Sequence, residues 1–253
     1  MLLNALKDVS DLLFPYFCLV CGKSLRRLQL CTKCTPPTPN NELRDRCAVC
    51  FSTTPDLDSS GSCYLCRLIP PIISNTRFLW EYELEAANLI SCIKYRPSYA
   101  LAKVTATKAQ VHFDTLFPYP QWDAIVPVPS STQSMSVRPF NFAEVLADGV
   151  AKHLAASIKI SVERLLKHRG YKSVQASLKG EARLNNVRNA FVVSRSKAGG
   201  KNILLVDDVI TTGATTTVAA ATLLEAGADR VDLFGLARAP NWCEFRQKIA
   251  QMY

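Results

Sequence analysis

The sequence predicts an α/β fold in which helices flank a parallel β-sheet, preceded by a small cysteine-rich region. After Pro70 and Pro71, short apolar segments alternate with segments of helical periodicity, which is typical of parallel strands joined by right-handed crossovers. Before these prolines, large apolar residues are few and eight cysteines form CxxC pairs. With 253 residues, 48% of them hydrophobic, the chain can bury a sizeable core. We therefore predict two domains, at 1–69 and 70–253.

The individual elements follow from the spacing of the apolar residues. An N-terminal amphipathic helix is predicted by apolar residues at intervals of three or four, namely Leu2, Leu6, Val9 and Leu13. Apolar runs bounded by turn residues predict strands at 78–82, 124–128, 190–194, 203–206 and 231–237. Helical periodicity predicts helices at 84–95, 100–113, 142–154 and 215–226, and the last of these ends before Gly227.

The positive charge is concentrated in one segment. Residues 159–201 hold the whole net charge of +9, with 11 Lys or Arg against Glu163 and Glu181. Such a segment indicates a site for a polyphosphate, a nucleic acid or both, and the alternative is a solvated loop with spare lysines. No apolar run reaches the roughly 18 residues that a membrane span needs. No charged region precedes the apolar N-terminal residues, so we expect no signal peptide and a cytoplasmic location.

Four CxxC pairs lie between residues 18 and 66. Without a secretion signal, disulfides match a reducing cytosol poorly, whereas two CxxC turns supply the four thiolates of a tetrahedral zinc site. The region also has too few apolar residues to fold without metal. We predict about two structural zinc ions, with sequential, crossed and nested pairings of the turns all left open. The predicted ligands are Cys18, Cys21, Cys31, Cys34, Cys47, Cys50, Cys63 and Cys66.

The segment from residue 203 to residue 215 reads ILLVDDVITTGAT and carries the predicted chemistry. An apolar strand runs into two adjacent carboxylates, Asp207 and Asp208, and a Thr/Gly turn then leads into a helix. Parallel sheets bind ligands beyond the carboxyl ends of their strands, and N–H groups at a helix start bind phosphate. The two acids suit the hydroxyls of a sugar whose 5-phosphate occupies the turn. A Walker-type loop is excluded, because no GKT or GKS follows and the acids precede the turn.

This segment resembles the phosphoribosyl pyrophosphate (PRPP) binding motif of type I phosphoribosyltransferases. The resemblance implies the type I phosphoribosyltransferase fold, a parallel sheet flanked by helices, and the cysteine pairs predict a small zinc-ribbon domain before it. It implies that Asp207 and Asp208 hold the ribose hydroxyls, that magnesium is held mainly by the pyrophosphate and the hydroxyls, and that displacement occurs at the anomeric carbon. The residues that it places around the 5′-phosphate are Val209, Ile210, Thr211, Thr212, Gly213, Ala214 and Thr215.

Nearly the whole chain resembles the ComF family, bacterial proteins linked to DNA uptake in natural competence. The cysteine pairs resemble that family's double zinc ribbon, Lys94–Tyr95 its LKY element, and residues 126–129 its VPVP strand. Further matches are Arg138, Phe140 and Asn141, followed by Arg169, Gln175, Leu178, Arg183, Asn186, Val187, Ala190 and Phe191. The resemblance implies a protein that handles internalised single-stranded DNA during transformation. Its implied partners are PRPP, single-stranded DNA and other DNA-uptake proteins.

The stretch after the VPVP strand departs from that family, which carries several basic residues and a glycine there. In this chain Arg138 is the one basic residue of the stretch, Pro139 replaces the glycine, and Phe142 replaces a glutamine. Because this loop takes the pyrophosphate in type I enzymes, we expect slow or absent turnover. Arg169, Lys172 and Arg183 would compensate in part as a mobile flap. The candidate catalytic residues are Asp207, Asp208, Arg138, Arg169 and Lys172.

Three functions of different classes are compatible with the sequence. The first is a competence protein that handles single-stranded DNA through a PRPP-binding fold. The second is an active phosphoribosyltransferase of nucleotide or glutamine metabolism, although no glutaminase cysteine stands at the N-terminus. The third is a non-enzymatic PRPP sensor, which the lack of an evident helix-turn-helix disfavours.

Overall fold

In a computed structural model of the chain, the described residues are 16–25, 30–37, 45–118, 121–130, 135–136, 138–169, 190–193 and 195–239. The predicted N-terminal helix, Lys172 and most of the family element after Arg169 lie outside these ranges. Within them, no helix combines the length and the apolar character that a membrane crossing needs.

The longest strands and helices, of nine and up to thirteen residues, come after residue 75, whereas the elements described in the cysteine-rich part have two to five residues. The strands are β1 (Tyr16–Phe17), β2 (Ser24–Leu25), β3 (Thr76–Glu81), β4 (Ala124–Pro127), β5 (Leu166–His168), β6 (Phe191–Val193), β7 (Asn202–Ile210) and β8 (Arg230–Arg238). The helices are α1 (Tyr64–Leu68), α2 (Leu84–Tyr95), α3 (Tyr99–Gln110), α4 (Phe113–Leu116), α5 (Phe142–Leu154), α6 (Arg195–Ala198) and α7 (Ala214–Glu225), and a 3₁₀ turn spans Thr32–Cys34.

The main sheet is parallel throughout. Its strands lie in the order β3, β8, β7 and β4, so the two long strands occupy the centre. A parallel bridge from Val162 to Ile125 extends the sheet beside β4. The prediction of a parallel sheet flanked by helices, with a cysteine-rich part before it, is confirmed.

The run ILLV in β7 is apolar at every position because the sheet is covered on both faces. Leu204 and Val206 pack in the core layer that includes α5, whereas Ile203 and Leu205 pack in the layer that includes α7. All four side chains are fully buried. Since strand side chains alternate between faces, a strand buried on both sides needs apolar residues at successive positions.

Three predicted elements differ from the structure in their partner strand or by three or more residues at one end. The segment predicted as a strand at 190–194 lies outside the parallel sheet, because β6 pairs with β5 in antiparallel fashion. A short apolar run indicates an extended segment but does not identify its partner. The strand predicted at 203–206 continues to Ile210, because β8 continues beside it to Arg238. The helix predicted at 100–113 ends at Gln110, and α4 begins separately at Phe113.

The later cysteine turns pack against the main sheet. The N–H of Thr76, at the start of β3, donates to the carbonyl of Val49 at 2.7 Å. Arg238, the buried last residue of β8, donates to the carbonyl of Cys50 at 2.8 Å. These hydrogen bonds cross the predicted domain boundary between residues 69 and 70. The division into 1–69 and 70–253 stays a prediction.

Candidate functional site

The candidate site lies at the edge of the sheet where β4 ends beside β7. The two strands pair in register up to Pro127, which lies opposite Val206. The residues that follow Pro127 therefore lie beside Asp207 and Asp208. This is the carboxyl edge of the parallel strands, where sheets of this kind bind ligands.

Asn141 fixes the chain that follows β4. Its side-chain amide donates to the carbonyl of Val128 at 2.9 Å, and its Oδ1 accepts the N–H of Ala143 at 3.1 Å as the N-cap of α5. One side chain thus joins the end of a strand to the start of a helix. Arg138 lies three residues earlier, and its side chain reaches the site.

Asp208 lies between two basic side chains. The Nζ of Lys94, near the end of α2, is 3.0 Å from both carboxylate oxygens of Asp208. The guanidinium of Arg138 is 4.0 Å from the Asp208 Oδ2. The three side chains are 17–23% exposed, so water screens these charges less than it screens a surface pair. The site therefore combines two cations with two acids.

Asp207 has different surroundings from its neighbour. Burial first, and the charge of Asp208 second, raise the pKa of Asp207 to about 7. The N–H of Asp208, which donates to the Asp207 Oδ1 at 2.8 Å, and the charge of Lys94 oppose this rise in the pKa. One acid of the pair is therefore partly protonated at neutral pH.

The turn after β7 enters α7 through a left-handed glycine. Gly213 is the N-cap of the helix with φ of 73°, a conformation that residues with a side chain rarely adopt. The hydroxyl of Thr212 accepts the N–H of Ala214 at 3.3 Å, while the next N–H groups of the first turn have no partner within a helix. Together with Thr211 and Thr215 at the cavity wall, they place donors at the positive end of the helix dipole.

These elements surround an open cavity of about 340 Å³. Of the predicted site residues, those that line it are Arg138, Asp207, Asp208, Val209, Thr211 and Thr215. Ile210 and Gly213 are buried beside it, and Thr212 is exposed. Arg169 is exposed just beyond β5 and is not one of the described lining residues. Lys172 lies outside the described residues.

Lys94 and Asn141 line the cavity without a role assigned from the sequence. The signals were present, because Lys94–Tyr95 matches a family element and Asn141 precedes a predicted helix. No local pattern could have shown that Lys94 meets Asp208, since 114 residues separate the two along the chain.

Two groups of four cysteines could each hold a zinc ion. The first is Cys18, Cys21, Cys31 and Cys34, and the second is Cys47, Cys50, Cys63 and Cys66. Within each group the sulfur atoms all lie within 4.8 Å of one another. One sulfur pair in each group is 3.7 or 3.8 Å apart, close to the about 3.8 Å that Zn–S bonds of about 2.3 Å give in a tetrahedron. The pairing of the CxxC turns is therefore sequential.

The second group surrounds one sulfur with hydrogen-bond donors. The Cys47 sulfur accepts the N–H of Cys50 at 3.5 Å and the N–H of Cys63 at 3.3 Å. The thiols of Cys50 and Cys66 contribute most to lowering the pKa of Cys47, ahead of these N–H groups. The thiolate form is the one that binds metal. Because sulfur fills all four positions, such an ion has no open position for catalysis.

No family model matches the chain, and no curated protein matches it. Among solved structures, an allosteric regulatory enzyme of purine biosynthesis is 24% identical, with a TM-score of 0.36 over 53% of this chain and 25% of its own. The glutamine PRPP amidotransferase from B. subtilis is 22% identical, with a TM-score of 0.39 over 58% of this chain and 33% of its own. An adenine phosphoribosyltransferase is 17% identical, with a TM-score of 0.37 over 61% of this chain and 78% of its own.

This chain thus spans a quarter and a third of the length of the first two structures.

Proposed function

We propose that the chain binds PRPP in the cavity at the end of β7, as the resemblance to type I phosphoribosyltransferases implies. The observation that carries the proposal is that the acid pair and the N-terminal turn of α7 meet in one cavity. A phosphorylated sugar needs N–H donors for its phosphate and acceptors for its hydroxyls. The cavity offers both kinds of group next to each other.

The 5′-phosphate would bind at the start of α7. N–H groups of the first turn and the hydroxyls of Thr211 and Thr215 would donate to it, and the helix dipole favours its charge. Gly213 keeps the backbone open to the phosphate because it adopts a left-handed conformation without a side chain.

The ribose hydroxyls would donate to Asp207 and Asp208. A carboxylate accepts two such hydrogen bonds and a protonated carboxyl accepts them less well, so binding favours the ionised form of Asp207. Magnesium arrives with PRPP, held mainly by its pyrophosphate and hydroxyls, and would offset part of the charge that gathers beside the acids.

The pyrophosphate would bind toward Lys94 and Arg138. In the free protein these cations pair with Asp208, which keeps them ordered at the cavity. An anionic ligand adds a second partner for both side chains. The remaining cations proposed for this role are Arg169, Lys172 and Arg183, which would act from a flap over the site.

We further propose that the protein is of the ComF type and handles internalised single-stranded DNA in natural competence. The support is the resemblance over nearly the whole chain, together with the +9 segment at 159–201. Lys167 and Arg169, within the described part of that segment, are exposed. Other DNA-uptake proteins would be partners, and the location would be cytoplasmic. A deletion strain that transforms at the wild-type frequency would contradict this role.

Calorimetric titration with PRPP and magnesium tests the site. The double variant Asp207→Ala with Asp208→Ala removes the acceptors for the ribose hydroxyls, so we expect at least about a tenfold loss of affinity, of the order of one charged hydrogen bond. Glu225→Ala, which removes an exposed carboxylate at the far end of α7, should bind as the wild type does. Equal affinity in the wild type and the double variant would overturn the assignment.

We also propose that turnover is slow or absent, because Arg138 is the one basic residue between 130 and 142. Incubation of the protein with PRPP and each common nucleobase, followed by a pyrophosphate assay, measures this. Release at an ordinary enzyme rate of roughly 1–1000 per second would instead favour an active phosphoribosyltransferase of nucleotide metabolism.

A further inference from the structure

A stretch free of acids adjoins the candidate site. Between Glu85 and Asp114 the sequence holds no Asp or Glu. It holds four basic residues instead, and these are Lys94, Arg96, Lys103 and Lys108. The stretch comprises most of α2, the whole of α3 and the link between them. The residues outside 159–201 have no net charge taken together. This stretch is nevertheless locally positive.

Two large aromatic side chains lie exposed on this stretch. Tyr95, at the end of α2, is 79% exposed, and Tyr99, at the start of α3, is 49% exposed. Aromatic rings carry much apolar area, so two of them in water four residues apart indicate a binding surface more than a folding role. Two basic residues of the same stretch, Arg96 and Lys103, are also exposed.

Tyr99 is held in place by its neighbours. Its ring meets Phe140 edge to face, with the centroids 5.5 Å apart. The Nζ of Lys103 lies 4.8 Å from the centre of the Tyr99 ring. A ring fixed in this way loses little freedom on binding, and the flexible lysine can move from the ring to a phosphate.

This surface is continuous with the cavity. Tyr95 and Lys94 line the cavity wall, and so do Arg138 and Asn141, which flank Phe140 in sequence. A strand that crosses Tyr99 and Tyr95 therefore reaches the cavity on the side of Lys94 and Arg138.

We propose that single-stranded nucleic acid binds across Tyr95, Arg96, Tyr99 and Lys103, which we call the 95–103 surface. Bases would stack on the two tyrosines, and Arg96 and Lys103 would pair with phosphates. Stacking platforms among cations are the composition of sites that bind single strands with little sequence choice. The inference rests on the proposed function, since it names where its single-stranded DNA partner binds. The 95–103 surface would supply stacking, in addition to the charge of the 159–201 segment.

The test compares two oligonucleotides of equal length, one of thymidines and one of abasic nucleotides, by fluorescence anisotropy. Removal of the bases keeps the phosphates and abolishes stacking. Wild-type protein should prefer the thymidine strand. Tyr99→Ala should lower affinity for that strand by about fivefold to a hundredfold and leave affinity for the abasic strand nearly unchanged.

Two variants serve as controls. Tyr99→Phe keeps the ring and should bind both strands as the wild type does. Tyr64→Ala removes another exposed tyrosine, 55% exposed on α1, and should also bind normally. Photocrosslinking of an oligonucleotide that carries 5-iodouracil should yield an adduct at Tyr95 or Tyr99 by mass spectrometry.

Each other outcome overturns a defined claim. If Tyr99→Ala binds the thymidine strand as tightly as the wild type does, the 95–103 surface is not the site. If wild type binds both strands equally, or binds an acidic polypeptide better than either, stacking is wrong. If wild type binds PRPP but no single strand, both the surface and the DNA-handling role fail while the PRPP site stands. Tyr99 does not line the cavity, so its alanine variant should retain PRPP binding.

Discussion

Asp207 and Asp208 are adjacent in the chain, yet their electrostatic surroundings differ. Lys94 lies 3.0 Å from Asp208, whereas Asp207 is half-buried beside the charge of Asp208, and its pKa rises to about 7. Two like charges side by side disfavour the state in which both are ionised. The free site therefore takes up a proton on Asp207 as the pH falls through neutrality.

Asp207→Asn should stabilise the free protein more at pH 8 than at pH 5. The pKa of Asp207 in the folded protein, about 7, lies above the value of about 4 in the unfolded chain. Ionisation of Asp207 therefore destabilises the folded wild-type protein. This destabilisation is absent below about pH 4, grows between about pH 4 and pH 7, and is complete above about pH 7. The neutral amide avoids this destabilisation. Thermal unfolding at both pH values, followed by the fluorescence of buried Trp80 and Trp122, measures the difference.

Asp208→Asn is the matched control for that experiment. It removes the partner of Lys94 and leaves a partly buried cation without its ion pair, so it should destabilise the protein at pH 8. An Asp207→Asn variant that gains no more stability at pH 8 than at pH 5 would contradict the raised pKa.

At the scale of elements, local signals were sufficient where the ends of an element are set by adjacent residues. The helices at 84–95 and 142–154 were predicted with the bounds that the structure gives. Asn141 caps one through the N–H of Ala143, and Pro97 follows the other closely. Their predicted bounds therefore needed no knowledge of tertiary contacts.

Pairings between distant segments could not be predicted in the same way. The antiparallel partner of β6 and the contact of Lys94 with Asp208 both depend on residues far away in the sequence. The four CxxC turns look alike as sequence, so their sequential grouping was visible only in three dimensions. Chain spacing limits such partners but does not select among them.

The two cysteine groups lead us to expect two zinc ions per chain. Elemental analysis of freshly purified protein should find both, because each group brings four sulfurs to the spacing of a tetrathiolate site. Cys18→Ser with Cys21→Ser should leave one ion. Protein that carries no zinc when freshly prepared would contradict this expectation.

Loss of the second cysteine group should affect the sheet more than loss of the first. Arg238 is buried at the end of β8 and donates to the carbonyl of Cys50 and the hydroxyl of Ser52. Cys47→Ser with Cys50→Ser would disturb these hydrogen bonds and lower the free energy of unfolding by about 2 kcal/mol or more. Circular dichroism melts of both double variants provide the comparison, and equal melting temperatures would refute it.

At the scale of the whole molecule, charge and stacking are expected to contribute to single-strand affinity from two different basic segments. The 159–201 segment supplies charge with few aromatic residues, and the 95–103 surface supplies aromatic rings with a few charges. Single-strand affinity should fall with salt, and the slope is that of log affinity against log salt concentration. Replacement of Arg169, Lys172 and Lys179 by Ala should make this slope less steep by about 2, because each lost phosphate contact removes about 0.7 from it. Tyr99→Ala should lower affinity with the slope unchanged.

Anisotropy titrations across a series of salt concentrations measure both slopes. A triple variant that loses PRPP affinity and keeps its DNA affinity would show that the 159–201 segment covers PRPP and makes no contribution to DNA binding.

The central claim is that the acid pair on β7 and the start of α7 together bind a phosphorylated ribose. A crystal structure of the protein with magnesium and PRPP tests this claim most directly. We expect the 5′-phosphate within hydrogen-bond distance of the N–H groups at Gly213–Thr215 and the ribose hydroxyls on Asp207 and Asp208. A structure with PRPP bound elsewhere, or with its phosphate away from the start of α7, would contradict it.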